Sequence, residues 1–571
     1  MLSIGAIGGS GKAHNYYAKY CQEAGEEEGQ WVGQAKGRMG LEGSVSADTM
    51  KELLAGFDGK GNKLVKNAGR EDRRGGFDLT FSAPKSVSVV WAGANEAMRE
   101  RIESEFKGAC QDALSYLQDF EGFSRKGVNG QEKVKAELLG SLFLHSSNRE
   151  GEPNLHGHLV LKNLGYCEDG VWRTIDGMGI FKSKMAAGNV FKASFASRLQ
   201  SLGFSVRQTK DSFEIDGVKQ TVCQAMSTRS QQIEAYLKEK WGLTREQASA
   251  KQLQVAALDT RQGKEAVENR RDFLKWQTKL SEHGFTRQSV EFLQQGGANK
   301  KKFTSKVKND AISAALERIT AQHSTFTQRQ LHSEIVKELI GKASPAQIDL
   351  CLRTVVDSAH VVRLADDRFT SIGVQAMERG LVRSMLNRSD EGRHLISEAS
   401  LAKVLSDRKT LSLEQTAVLR HLAGDRSAAS MVRGYAGAGK SFTMGAVADA
   451  YRLDGYRVIG LAPSNKAKIG LSDSIKADAH TLDSFSLRLE NRHTRLGPKD
   501  VLIIDEAAMA SSKKLQPIIE KVNAARAKLI FVGDESQLQP IDAGQLFGTL
   551  YQKLSGVELK EIYRQERVSE A

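Results

Sequence analysis

His145-Ser-Ser-Asn-Arg-Glu-Gly-Glu-Pro-Asn-Leu-His156-Gly-His158-Leu-Val-Leu is the stretch from which the first half of the chain can be read. His156 and His158 are two residues apart, so in an extended segment their side chains share one face. His145 closes the apolar run 138–144. The residues between His145 and Asn154, including Gly151 and Pro153, have the composition of a loop that returns the chain antiparallel. Two neighbouring strands would then bring three imidazoles together. Imidazole nitrogen suits borderline divalent ions, and three protein ligands leave coordination positions for a substrate oxygen, as catalytic sites do. His145, His156 and His158 are therefore candidate metal ligands.

Upstream, Phe77-Asp78-Leu79-Thr80-Phe81-Ser82 alternates apolar and polar residues. The pattern predicts a half-buried strand with Phe77, Leu79 and Phe81 inside and Asp78 on the opposite, working face. Pro84 fits a helix start with Ser82 as a possible cap, and helical periodicity follows over 94–120, 183–202 and 230–241. Nearer the start, Asn15-Tyr16-Tyr17 is followed by Tyr20. The surrounding Gly, Lys, His and Asn argue against a buried helix face there and for an exposed phenol with a chemical task.

A chain of 571 residues has room for about three to four domains, and 40% apolar with 7% aromatic residues is ordinary for globular material. The formal charge of +13 is spread along the chain and favours a polyanionic partner such as nucleic acid. The five cysteines are scattered with no CxxC pattern, which disfavours a disulfide framework or zinc ribbon and suggests a reducing, cytoplasmic setting. The first residues lack an apolar core behind a basic flank, and no run of ~18 apolar residues occurs, so neither export nor a direct membrane segment is expected.

Gly296-Gly-Ala-Asn-Lys-Lys-Lys-Phe-Thr-Ser-Lys-Val-Lys308 combines paired glycines with a basic run. It marks 296–308 as a linker after a first domain, 1–295. Residues 309–395 read as a small helical or winged-helix module, with helices near 311–319 and 327–340 and a β-like stretch through Val361, Val362 and Leu364. From about 396 to 571, apolar strands alternate with helices, the texture of a parallel α/β unit. There Gly434-Tyr-Ala-Gly437-Ala-Gly439-Lys440-Ser441 matches G-x4-G-K-S. Its backbone N–H groups would cradle phosphate, Lys440 would neutralise the β/γ charge and Ser441 would bind Mg²⁺. Val501-Leu-Ile-Ile504-Asp505-Glu506 ends an apolar strand in two carboxylates, Asp505 for Mg²⁺ and Glu506 for the attacking water. A third strand leads into Gly533-Asp534-Glu-Ser-Gln537-Leu-Gln-Pro540.

Together with Gln415, Ala462-Pro-Ser-Asn, His480-Thr-Leu-Asp-Ser-Phe485 and Tyr563-Arg564-Gln565, these resemble the ordered motifs of a superfamily 1 helicase of the RecD-like branch. The resemblance implies that Gln415 contacts adenine, Gln537 senses the γ-phosphate and Arg564 serves as arginine finger. It also implies that Pro463 to Lys466 and His480 to Phe485 face single-stranded DNA. The motifs of a second RecA-like lobe do not follow before Ala571, so an incomplete motor is expected.

Asn15-Tyr16-Tyr17, Phe77-Asp78-Leu-Thr-Phe-Ser-Ala-Pro-Lys-Ser-Val-Ser88, His145 with His156-Gly-His158, and Ala257-Leu-Asp-Thr-Arg261 resemble, in order, the signature of the MobF family of conjugative relaxases. The fold implied is an α+β HUH endonuclease domain with a central antiparallel sheet, then the small module, then a RecA-like α/β lobe. The activity implied is strand-specific nicking of a plasmid transfer origin. Tyr16 is the nucleophile by the family pattern alone, with Tyr17 beside it. Asp78 orients a histidine or accepts the proton, and the resemblance favours orientation. The histidines would hold a divalent ion, Mg²⁺ or Mn²⁺, with Zn²⁺ admitted, and the lobe would hold ATP with Mg²⁺. Family partners would be single-stranded origin DNA, accessory relaxosome proteins, a coupling protein and a type IV secretion system, the protein passing from donor to recipient cell with the DNA. Gly157, smaller than the family's usual residue, is expected to loosen its strand. The readings set against this are a rolling-circle replication initiator and a nickase whose ATPase-like half only binds single-stranded DNA.

Overall fold

The computed structural model describes residues 2–21, 28–127, 130–148, 150–245, 247–260, 272–296, 303–365, 367–435, 437–534, 546–554 and 556–561. The chain divides into two compact units, Met1–Ile312 with His332–Thr354, and Ser313–Leu331 with Val355–Ala571. Residues 309–395 thus contribute to both.

The first unit is built on β1 (Leu2–Gly8), β2 (Gln30–Val32), β3 (Arg74–Ser82), β4 (Phe123–Lys126), β5 (Glu132–Ser147), β6 (Pro153–Cys167) and β7 (Trp172–Arg173). The order is β1-β3-β6-β5-β2, with β4 added to β5 and β7 to β6, and every pairing is antiparallel. A separate short hairpin pairs β8 (Val206–Gln208) with β9 (Phe213–Ile215). Alternation along β3 sends Phe77, Leu79 and Phe81 into a core under the helices Glu96–Glu121 and Lys184–Ser201, where the rings of Phe81, Phe106, Phe191 and Phe195 meet. The opposite face carries Phe143 and Val160, covered by Tyr20, Trp31, Met50, Leu53 and Leu54.

Several sequence expectations are corrected here. Ser82 is the last residue of β3 and not the N-cap of the helix Lys85–Gly93, which begins behind Pro84 without a side-chain cap. The next helix starts at Glu96, where the Asn95 side chain accepts from the Met98 amide. The loop after His145 is shorter than read, because β5 continues to Ser147 and β6 begins at Pro153. Asn148 closes the turn by accepting from the amides of Glu150 and Glu152. Gly157 does not loosen β6. A Cβ there would lie 2.9 Å from the Phe106 ring, so the missing side chain lets Phe106 pack directly on the strand.

The second unit has a hairpin of β10 (Val361–Ala365) and β11 (Arg368–Ser371) and a six-stranded sheet of β12 (Ala429–Gly434), β13 (Arg457–Ala462), β14 (Ala479–Thr481), β15 (Asp500–Ile504), β16 (Lys528–Gly533) and β17 (Val557–Leu559). The sheet is parallel throughout, in the order β14-β13-β15-β16-β12-β17. Its strands are apolar runs because both faces are covered. Leu502, Ile504, Leu529 and Phe531 fill one core, and Val501, Ile503, Ile530 and Val532 the other. Among the described residues no helix is long and apolar enough to cross a membrane.

Candidate functional site

His145 and His156 stand directly opposite each other across β5 and β6, and His158 faces Phe143 one pleat further along. The three rings lie 4.9 to 5.5 Å apart between centroids, and one nitrogen from each falls within 4.8 Å of the others. The orientation of two rings is fixed from behind. His158 Nδ1 donates to Asp78, lying 2.9 Å from both carboxylate oxygens, and His156 Nδ1 donates to the Asn154 carbonyl at 2.8 Å. That leaves Nε2 of each as the ligand atom. Thr80 Oγ1 lies 3.4 Å from both His158 Nδ1 and Asp78 Oδ1. Burial, reinforced by the other two histidines, pushes His145 down to about 2, and burial pushes His156 down to about 4. Both rings are therefore neutral at ordinary pH, the state a metal requires. A donor set of three converging imidazoles, two with braced Nδ1 atoms, fits a divalent ion.

β3 brings Asp78 beside this cluster because Thr80 pairs with His158 and Asp78 with Val160. The next segment locks the start of β6. Ala83 N–H donates to the Leu155 carbonyl at 3.0 Å, Ser88 Oγ accepts from Leu155 N–H at 3.1 Å, and Lys85 Nζ donates to the Pro153 carbonyl at 3.0 Å. The Ser-Ala-Pro-Lys-Ser-Val-Ser stretch thus holds His156 in place, a role its composition did not disclose.

The tyrosines come from the helix Gly11–Ala18, whose first turn is capped by Ser10, and from the 3₁₀ turn Lys19–Cys21. Tyr16 is 41% exposed, whereas Tyr20 is only 8% exposed. Tyr17 donates its hydroxyl to Asp78 Oδ2 at 3.2 Å. The Tyr20 hydroxyl lies 3.4 Å from that of Tyr16, and its ring meets His145 edge-on at 4.7 Å and His158 at 5.1 Å. Burial raises the Tyr17 and Tyr20 phenols above their usual range. The expectation of an exposed phenol holds for Tyr16 and fails for Tyr20, since the segment does turn one helical face inward. That inward face carries His14 and Ala18, whose i, i+4 spacing was the available signal.

In the second unit Gly434 ends β12, and Gly437 and Gly439 adopt positive φ of 87° and 74°, which L side chains resist. The helix Lys440–Leu453 follows directly, with Ser441 in its first turn. Lys440 Nζ donates to the carbonyls of Gly434 at 2.7 Å and Tyr435 at 3.2 Å. Gln415, in a capping box with Ser412, lies against the loop, since a Cβ on Gly439 would meet its Nε2 at 2.5 Å. Asp505 and Glu506 follow β15, and burial raises both carboxyl groups. The carboxyl ends of β12, β15 and β16 thus bring Gly434, Asp505 and Asp534 to one edge, where open α/β sheets bind ligands. Phe485 is buried and stacked on His480, which leaves Asp483 and Ser484 as the exposed part of that segment. Gln537 and Arg564, and with them Pro540, Tyr563, Gln565, Arg261 and residues 297–302 of the linker, lie outside the described residues, and 305–308 of that linker are not a loop but open the helix Ser305–Gln322.

Residues 9–283 match the family model described as TrwC relaxase, and residues 410–571 match a model described as AAA domain. The chain is 33% identical over 271 residues to the conjugal transfer protein TraA of Agrobacterium fabrum, covering 45% of this chain and 24% of that protein. It is 35% identical over 162 residues to the ATP-dependent RecD2 DNA helicase of Deinococcus radiodurans, covering 28% of this chain and 22% of that protein. Among solved structures, a conjugative relaxase TrwC in complex with oriT DNA, metal-bound, aligns at TM-score 0.46 and 29% identity over 50% of this chain and 100% of that one. The chain spans about a quarter of the length of the curated relatives it matches.

Proposed function

We propose, for a chain that carries a relaxase region of the MobF, TrwC type followed by an AAA-type region, that it nicks one strand of a plasmid transfer origin and stays joined to the 5′ end. The observation that carries this reading is the convergence of three imidazoles beside Asp78 and a solvent-facing phenol. His145, His156 and His158 would hold the divalent ion, Mg²⁺ or Mn²⁺ with Zn²⁺ admitted, since imidazole nitrogen accepts several divalent ions. When bound, the ion supplies charge to nonbridging oxygens of the scissile phosphate.

The chain's own residues do the rest. Asp78 fixes the ring of His158, and the Asn154 carbonyl fixes that of His156. Tyr16, at the rim, forms the bond from its phenolic oxygen to phosphorus, and the bond from phosphorus to the 3′ oxygen breaks. The phenol gives up its proton and the 3′ oxygen gains one. One ester replaces another, so the step runs backwards to rejoin the strand.

A second reading assigns the attack to Tyr17, because its hydroxyl already contacts Asp78, which would then be the base. A single-stranded oligonucleotide pool of random sequence with a 3′ fluorophore decides between them. Wild type forms an SDS-stable fluorescent adduct that Tyr16→Phe lacks and Tyr17→Phe retains. The reverse pattern transfers the role to Tyr17, and no adduct from wild type overturns nicking.

In the second unit we assign Mg-ATP to Gly434, Gly437, Gly439, Lys440, Ser441, Asp505 and Glu506, with Gln415 at the base and Gln537 and Arg564 as further contacts. The activity served would be 5′→3′ unwinding of the nicked duplex. The domain roles proposed are nicking for 1–295, a basic tether for 296–308, a small module for 309–395 and a motor lobe for 396–571. Relaxosome proteins, a coupling protein and a type IV secretion system would be its partners, first in the donor cytoplasm and then on the way to the recipient.

A further inference from the structure

We propose that Tyr20 is a positioning residue of the nicking site, its ring bracing His145 and His158 and its hydroxyl seating that of Tyr16. The inference rests on Tyr16 as nucleophile. Tyr20 lies four residues after Tyr16, just past the helix end, so one turn stacks the two side chains. They differ in exposure, 41% for Tyr16 and 8% for Tyr20, so one reaches solvent and the other is anchored. The anchor is the core of Trp31, Phe143 and Val160 on the working face of the sheet.

From there the Tyr20 ring contacts Phe143 at 5.7 Å, His145 at 4.7 Å with planes at 89°, and His158 at 5.1 Å. His156 and His158 have their Nδ1 atoms tied to Asn154 and Asp78. The Tyr20 ring meets His145 edge to face, a contact that restricts rotation of the imidazole. The same phenol places its oxygen 3.4 Å from the Tyr16 oxygen. That is long for an O–H···O bond, and catalytic contacts of this kind tighten when substrate arrives. A fixed hydroxyl beside the Tyr16 phenol narrows the rotamers that phenol takes up. Tyr20 itself cannot meet a phosphodiester without leaving the core, so it positions and does not attack.

Ring and hydroxyl separate by substitution in the full chain. Tyr20→Phe keeps the brace and the packing while removing the seat; Tyr20→Leu removes both. Mn²⁺ affinity is followed by the paramagnetic resonance of free Mn²⁺. Single-turnover adduct formation is followed on the oligonucleotide that wild type captures from the random pool. Tyr20→Phe is expected to bind Mn²⁺ like wild type, with KM for the oligonucleotide unchanged and the rate at saturation about tenfold lower, the worth of one hydrogen bond. Tyr20→Leu is expected to lose about tenfold in Mn²⁺ affinity as well. An adduct mapped by mass spectrometry to Tyr20 overturns the proposal, as does wild-type behaviour of Tyr20→Phe in rate and of Tyr20→Leu in Mn²⁺ affinity. Absence of any adduct from wild type removes the nicking reading and the seating role with it, and the Mn²⁺ affinity of Tyr20→Leu then decides the brace by itself.

Discussion

In the first unit the three histidines and Asp78 project from the faces of β3, β5 and β6, whereas in the second Lys440, Asp505 and Glu506 lie beyond the carboxyl ends of β12 and β15. The consequence lies in what orients them. His156 and His158 are held by a carbonyl and a carboxylate of the protein, with Nε2 left to converge. Lys440 instead bonds the Gly434 and Tyr435 carbonyls of its own loop. A triphosphate must draw that ammonium away from those carbonyls, so part of the ligand's binding energy goes into rearrangement. A long antiparallel ladder can preorganise a small cation site; a glycine-rich loop waits for its anion to complete it.

Removing a ligand should be the largest blow to the preorganised site. His156→Ala is expected to weaken Mn²⁺ binding by at least about 100-fold in a titration, and to leave Mg-ATP binding unchanged. Asp78→Asn keeps all three ligands but exchanges the carboxylate behind His158 for an amide, and a fall of about 10- to 100-fold in Mn²⁺ affinity is expected. A wild-type titration from that variant would mean that the strands alone set the ring. Lys440→Ala should cost less, about tenfold in Mg-ATP affinity by fluorescent-nucleotide competition, because wild-type Lys440 surrenders two carbonyl bonds to bind phosphate. A loss far beyond that would show that the loop is as preorganised as the histidine cluster.

What was legible followed the period of the backbone. Alternation in 77–82 puts Asp78 on the working face, and the two-residue spacing of His156 and His158 with a return from His145 gives the cluster, because both depend only on strand geometry and one turn. The parallel lobe is legible because runs such as Val501-Leu-Ile-Ile504 have no polar face. Contacts between distant segments were not. Nothing local says that Tyr17 leans on Asp78, since neighbours in a helix point about 100° apart and the helix's seat on the sheet decides which turns inward. Gly157 misleads for the same reason, as its meaning is the Phe106 ring fifty-one residues earlier in the chain.

The smallest expected effect compares the two sheets through a lysine that each buries completely. Lys162 of β6 donates to Ser141 Oγ and the Val160 carbonyl and lies 5.3 Å from the Trp31 ring; burial pushes its pKa down to about 7. Lys528 of β16 donates to the Asp425 and Ser427 carbonyls, and the Asp425 carboxylate, 3.8 Å away, opposes the burial that pushes it down to about 8. Each folded value lies below the 10.5 of an ordinary lysine, so between the two values the unfolded chain binds the extra proton and stability rises with pH. The window opens at about pH 7 for Lys162 and about pH 8 for Lys528, with a slope of at most about 1.4 kcal/mol per pH unit for each. Urea unfolding at one-unit steps from pH 7 to 10 should therefore show Lys162→Met losing part of the wild-type rise from the first step. Lys528→Met should lose it only from the second. Equal onset in the two variants would mean that the Asp425 carboxylate does not hold the proton on Lys528, and that the two sheets treat a buried cation alike.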